Sequence, residues 1–148
     1  MLNDSTFVGK SIDMNYGSFF IYNSRSKEKK WIKFNHKFRY PDKKYEDQSY
    51  LNSICVHPQK KKIIVAYRYF DLIQLYDDEG KLLQECCFSK IQKPLLSTVA
   101  SGMAPEASFY NLSTCGTNKY FYILRANKTA IQLQNQPQKL SGQLIVMD

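Results

Sequence analysis

Two histidines, His36 and His57, and four cysteines are the residues of this 148-residue chain that could hold a metal ion or activate a nucleophile. No Cys-x-x-Cys pair occurs, and Cys86 and Cys87 are adjacent, so in a strand they point to opposite faces and cannot both bind one ion. His57 is the one candidate general base, but nothing near it marks a nucleophile. Gly-x-Ser-x-Gly and glycine-rich phosphate-binding motifs are absent from the sequence. The sequence therefore predicts no catalytic residue, no metal site and no cofactor, and it favours a turn-forming role for His57.

Cys55 and Cys115 occupy equivalent positions in two predicted strands, and this placement leaves two alternatives open. They could form a disulfide if their Cα atoms lie roughly 4.4–6.8 Å apart. They could instead remain free thiols that pack as small hydrophobic side chains. The second alternative is the commoner outcome for such cysteines, and it is the one we expect.

The net charge of +8 is concentrated in one region of the chain. Residues 25–62 contain 12 Lys or Arg and 4 Asp or Glu, and aromatic residues are interleaved with them. Such a pattern can indicate nucleic-acid binding, in which lysines neutralise phosphates and rings stack on bases. Strand alternation argues against it, because Trp31 and Phe34 fall on a predicted strand while the lysines at 60–62 fall in a turn. Binding to an anionic surface or polymer stays open as an alternative, and it would weaken steeply with salt.

The composition is that of a folded domain, with 43% hydrophobic and 14% aromatic residues. The longest apolar runs are far shorter than the ~20 residues of a membrane-spanning helix, so no transmembrane segment is predicted. Residues 1–5 lead directly into an apolar segment with no basic region and no cleavage site. We therefore expect no signal peptide in this chain.

The apolar residues fall in short runs rich in Ile, Val, Tyr and Phe that end at Asn, Asp, Lys or Gly, as is typical of β-strands. The clearest stretch is residues 53–88, where four such runs are joined by polar turns. One of these turns, at residues 77–80, contains a glycine that can adopt positive φ. The sequence therefore predicts an all-β fold with almost no helix.

A repeat organises these strands. An apolar strand end closed by Asn or Asp recurs at residues 20–23, 74–77 and 145–148. A repeating four-stranded antiparallel meander is the pattern of a β-propeller blade. It predicts blade 1 at about residues 5–36 without its inner strand, blade 2 at about 50–88, and blade 3 at about 108–148 without its outer strand. Because closed propellers have typically 4–8 blades, we expect a fragment of a longer protein, copies that complete a ring, or an open stack that self-associates.

The strands and turns of the second and third predicted blades also carry a family resemblance, in the segments His57-Pro58-Gln59-Lys60-Lys61-Lys62, Val65-Ala66-Tyr67-Arg68-Tyr69, Asp71-Leu72-Ile73-Gln74-Leu75-Tyr76-Asp77, Asn118-Lys119-Tyr120-Phe121-Tyr122-Ile123-Leu124 and Gly142-Gln143-Leu144-Ile145-Val146-Met147-Asp148. With these segments the chain resembles the TolB-like six-bladed β-propeller family of uncharacterised bacterial proteins. The resemblance implies an envelope or periplasmic location for a full-length parent, and it supplies no catalytic motif. We expect a non-catalytic binding or interaction scaffold. The alternative is part of a hydrolase or lactonase-like propeller enzyme whose site is completed by missing blades.

A propeller would gather its longest connections on one face, which is where ligands are bound on a rigid scaffold. These connections are residues 37–48, 68–71, 89–108 and 126–141. The residues predicted at the rim of such a ligand site are polar or aromatic: Tyr45, Arg68, Tyr69, Asp71 and Arg125. For Arg68 and Asp71 themselves, we expect an ion pair that stabilises the bend between them, rather than contacts with a ligand.

Overall fold

The computed structural model describes residues 2–10, 17–33, 38, 48–95, 104–135 and 142–148. Within these ranges the chain is all-β, as predicted, and forms three antiparallel sheets. The first sheet contains β1 (Thr6–Gly9), β2 (Phe19–Asn23) and β3 (Lys29–Ile32). The middle sheet contains β4 (Asn52–His57), β5 (Lys62–Tyr67), β6 (Ile73–Asp77) and β7 (Leu82–Cys86). The third sheet contains β8 (Ser108–Gly116), β9 (Phe121–Thr129) and β10 (Gln143–Met147), in the order β10-β9-β8.

The middle sheet lies between the other two, and alternate side chains of β5 pack against one or the other of them. Ile63, Val65 and Tyr67 pack in one core cluster with Phe19 and Ile21 of the first sheet. The intervening residues of β5, Ile64 and Ala66, pack in a second cluster with Phe121 and Ile123 of the third sheet. Because successive residues of a strand point to opposite faces, a continuous apolar run fills both interfaces.

A glycine in the turn between β6 and β7 lets the first sheet approach the middle one. Gly80 has a φ of 79°, in the left-handed region that favours glycine. A Cβ atom at this position would lie 2.1 Å from Cδ1 of Ile32 in β3. The predicted turn at residues 77–80 therefore needs its glycine for backbone conformation and for packing between sheets.

The third sheet differs in detail from the prediction. β9 continues to Thr129 and is followed by a short helix, α1 (Ala130–Asn135), where a long loop was expected. The strand is extended because Ser108 pairs with Thr129 across the sheet. The helix starts with a capping box, in which Gln132 N donates to Thr129 Oγ1 and Thr129 N donates to Gln132 Oε1. This Thr-x-x-Gln signal was present in the sequence. The limits of the predicted blades stay a prediction.

A buried polar network crosses the middle sheet. The hydroxyls of Tyr67 and Tyr76 donate to Oε1 of Gln74 at 2.8 and 2.7 Å, and Gln74 Nε2 donates to Glu85 Oε1 at 2.6 Å. Burial, together with the negative charge of Glu85, raises the pKa of Tyr76 to about 12. Burial also raises the pKa of Tyr67, and the neighbouring Tyr76 adds to the shift. Both tyrosine hydroxyls must therefore keep their protons to donate to Gln74.

These raised pKa values predict a loss of stability in alkali. An unfolded tyrosine releases its proton near pH 10, whereas Tyr76 in the folded protein holds it to about pH 12. The contribution of Tyr76 to the free energy of unfolding is fully present below pH 10 and is lost as the pH rises through 12. The free energy falls by about 1.4 kcal/mol per pH unit for each proton that the folded protein retains. Urea denaturation followed by circular dichroism between pH 8 and 12 measures this slope. Tyr76→Phe should reduce this slope, whereas Tyr120→Phe, which changes an exposed tyrosine, should leave it unchanged. Equal slopes in the native protein and both variants would contradict the prediction.

Candidate functional site

A cleft of about 600 Å³ opens where the three sheets come together. Its walls come from β1, β4 and β8, with the bend after β5 closing one side. Each of these strands lies at the end of its sheet, so each leaves one backbone edge without a neighbouring strand in the described structure. An edge strand presents unpaired N–H and C=O groups. The lining residues are Val8, Gly9, Lys10, Asn52, Ser53, Ile54, Cys55, Val56, Arg68, Leu112 and Gly116.

The wall between the middle and third sheets is closely packed. Ser53 Oγ of β4 lies 2.8 Å from Thr114 Oγ1 of β8, and it accepts the backbone N–H of Thr114 at 3.0 Å. A Cβ atom on Gly116 would lie 2.3 Å from the carbonyl oxygen of Val56. The absence of a side chain at Gly116 therefore allows β8 to pack directly on β4 at the end of the cleft.

Two cations define the charge of the cleft. Lys10 follows β1, and its Nζ donates to the carbonyl oxygen of Asn52 at 2.6 Å. Partial burial lowers the pKa of Lys10, and the positive charge of Arg68 lowers it further. No Asp or Glu is among the described residues that line the cleft. As far as the described residues go, the cleft is therefore positively charged, with polar groups of β4 along one wall.

The bend that carries Arg68 is held from both sides by backbone hydrogen bonds. The N–H of Arg68 donates to Leu51 O at 2.8 Å, and its carbonyl accepts from Tyr110 N at 2.7 Å. The buried side chain of Asn111 donates to the carbonyl of Tyr67 at 2.9 Å. These contacts connect the bend with β8 and set the position from which Arg68 reaches the cleft.

An ion pair lies behind the bend. Asp71 Oδ1 is 2.6 Å from Nη2 of Arg125 in β9, and both residues are buried, with 1% and 5% of their surface exposed. Ser89 Oγ donates to Asp71 Oδ2 at 2.5 Å, and the Arg125 guanidinium lies over the Phe88 ring at 4.6 Å. The pair joins the middle sheet to the third sheet and fixes the end of the bend.

The predicted rim residues take different places. Arg68 lines the cleft, whereas Tyr69 is half-buried with its ring 5.0 Å from that of Phe109. Asp71 and Arg125 are buried against each other, so the predicted pair of Asp71 with Arg68 was wrong: in the described structure Asp71 pairs with Arg125. Tyr45, with nearly all of residues 37–48, lies outside the described residues. Sequence reasoning missed Lys10, since nothing in its local sequence indicates that it meets Arg68.

His57 has the predicted turn-forming role. It is fully buried as the last residue of β4, and its Nδ1 accepts the N–H of Lys60 at 3.2 Å. The ring also packs edge-on against Phe121 with the ring centres 5.5 Å apart. His57 therefore closes the turn between β4 and β5.

The cysteines are free thiols. Cys55 is half-buried in the cleft wall, and burial raises the pKa of its thiol to about 11, an effect that a hydrogen bond from Thr114 opposes and the nearby Cys115 reinforces. The free-thiol alternative is thus confirmed, although Cys115 is exposed and not buried. Within the described ranges, no group of three or more His, Cys, Asp or Glu side chains is arranged to hold a metal ion.

The fold and the cleft together define a protein of three stacked antiparallel sheets with a basic cleft at their shared edge. No known family model, curated protein or solved structure matches the chain. In the part of the chain that the structure describes, no helix has the length and apolar character needed to span a membrane. The resemblance to TolB-like propellers therefore depends on the residues quoted above alone.

Proposed function

We propose that this protein is a non-catalytic binding scaffold of the TolB-like propeller type, which binds its ligand in the cleft between β1, β4 and β8. The observation that supports this most directly is the meeting of three sheet edges at one concave site. Pockets of about 300–1,000 Å³ with a few polar groups are the usual size and character of small-ligand sites. The cleft of about 600 Å³ is within that range.

The chemistry of the lining residues favours binding over catalysis. The described wall contains no histidine and no carboxylate that could act as a general base. Its one thiol, Cys55, has a pKa of about 11 and is protonated at neutral pH. Because the thiolate is the nucleophilic form, Cys55 is a poor nucleophile there.

Binding in the cleft can be tested by NMR with ¹⁵N-labelled protein and a library of small neutral and charged compounds. We expect compounds that bind to change the chemical shifts of the protein's backbone amides, with the largest changes at residues 8–10, 52–56 and 112–116. Leu112→Trp should weaken these interactions because the larger ring occupies the cleft, whereas Leu83→Trp, on an exposed position of β7, should leave them unchanged. Shifts that cluster elsewhere, or equal binding by Leu112→Trp, would contradict the proposal.

The scaffold also leaves an outer face on each end sheet, and we propose that these faces associate with a second copy of the chain. On the third sheet, Leu124 and Leu144 pair across β9 and β10 with 43% and 62% of their surface exposed. On the first sheet, Phe7 of β1 is 41% exposed and points away from the core, because the next residue, Val8, packs against the core cluster. Inside the stack, faces of this kind are covered by a neighbouring sheet.

A further inference from the structure

We infer that the ligand of the cleft carries an anionic group, a carboxylate or a phosphate, which binds between Lys10 and Arg68. This inference depends on the proposed function, because it names the chemistry of a ligand at the same cleft. The two cations come from different sheets and meet only in the folded protein. They are the charged side chains among the described residues that line the cleft.

The positive charge of the cleft has no described counter-charge. Neither Lys10 nor Arg68 has an ion pair with an acidic side chain among the described residues, and both line the same cleft, where the charge of Arg68 lowers the pKa of Lys10. Bringing two like charges together in a partly desolvated cleft is unfavourable. A bound anion would remove that repulsion and gain two charge-assisted interactions.

Among the described residues, both cations retain donors for a ligand. Lys10 uses one of its three N–H groups on the carbonyl of Asn52, which holds the ammonium group at the start of β4. Arg68 offers a planar fork of donors that matches a carboxylate or phosphate in two-point contact. Its backbone is held on both sides by Leu51 and Tyr110, so the bend that carries it is fixed before a ligand arrives.

Described lysines of the basic region, residues 25–62, lie away from the cleft. Lys60 pairs with Asp148, and Lys61 lies 3.9 Å from Asp78. Lys29 lies over the rings of Phe20 and Trp31, and Lys30 donates to the carbonyl of Glu79. These lysines are on turns and strand surfaces, outside the lining of the cleft. The net charge of the chain therefore does not by itself predict where an anion binds; the concave position of Lys10 and Arg68 does.

The test is an NMR titration of the full chain at low ionic strength with inorganic phosphate, succinate and glycerol as separate probes. We expect phosphate, succinate or both to shift the amides of residues 8–10, 52–56 and 68, and glycerol to leave them unchanged. The stronger of the two anions identifies the class of ligand. Lys10→Gln and Arg68→Gln should each weaken anion binding at least about tenfold. Lys61→Gln, an exposed control, should bind as the native protein does.

Several results separate this inference from the proposed function. Lys10→Arg keeps the charge and should retain binding, which distinguishes a lost contact from a damaged fold. Equal anion affinity in Lys10→Gln, Arg68→Gln and the native protein would overturn the inference. Phosphate or succinate that changes only the amide shifts of residues 60–62 would also overturn it, because the anion would then bind at the basic turn and not in the cleft. If neutral compounds shift the cleft amides and anions do not, the inference fails while the binding function stands; if no compound shifts them, both fail.

Discussion

Replacing Arg125 with methionine is expected to lower the free energy of unfolding by about 3–5 kcal/mol, the usual cost of removing one partner of a buried ion pair. In the native protein the Arg125 guanidinium compensates the charge of Asp71, which is 1% exposed. Without it, Ser89 donates the one described hydrogen bond to the side chain of Asp71. A carboxylate left in that environment is strongly destabilising. Urea denaturation measured at neutral pH gives the difference in free energy.

Two variants separate the charge effect from the loss of side-chain volume. Arg125→Met combined with Asp71→Leu removes both charges, so we expect it to recover much of the stability lost in the single variant. Arg25→Met changes an exposed arginine and should alter the free energy by less than about 0.5 kcal/mol. If Arg125→Met is no less stable than Arg25→Met, the buried pair does not hold the two sheets together as described.

The second large effect concerns the mass of the protein in solution. We expect light scattering after size-exclusion chromatography to give at least twice the 17.3 kDa of one chain. The reason is the exposed apolar side chains on the outer faces of the end sheets, Phe7 on the first and Leu124 and Leu144 on the third, because exposed apolar patches mark interaction surfaces. The outer face of the third sheet in one copy would cover the outer face of the first sheet in another. Because this contact joins two different faces, repeating it from copy to copy gives either a closed ring or an open filament.

A charge placed on one of these faces should reverse the association. Leu144→Lys puts a lysine on the exposed side of β10, opposite Leu124. We expect it to return the mass to that of one chain without lowering the thermal midpoint greatly. Leu95→Lys replaces an equally exposed leucine outside the sheets and should leave the assembly intact. A native protein that elutes as a monodisperse, cooperatively melting monomer would show that the outer faces do not bind a second copy.

The propeller interpretation connects these results. Three sheets that pack face to face, with their first strands around one cleft, are compatible with part of a propeller. Closed propellers have typically 4–8 blades, so further sheets, from other copies or from a longer chain, would be needed to close a ring. The mass measurement bears on this directly, because a discrete assembly of copies would supply such sheets.

The strands of this protein could be predicted from the sequence because their signals are local. β5 is a run of β-branched and aromatic residues, and a β-strand is what such a run forms when both of its faces are buried. The turn between β6 and β7 could be predicted because Gly80 follows three acidic residues and can adopt positive φ. The end of β9 was misplaced, since its extension depends on pairing with Ser108 across the sheet.

The candidate site depended much more on the tertiary structure. The bend that carries Arg68 could be predicted because it lies between two clear strands. The placement of Lys10 on the same cleft and the pairing of Asp71 with Arg125 could not, because each brings together residues that are far apart in the sequence. Periodicity and turn residues determine where strands begin and end and which face of each is apolar. Which charged side chains then meet is decided only when the sheets stack, because the distance between them depends on how whole faces pack.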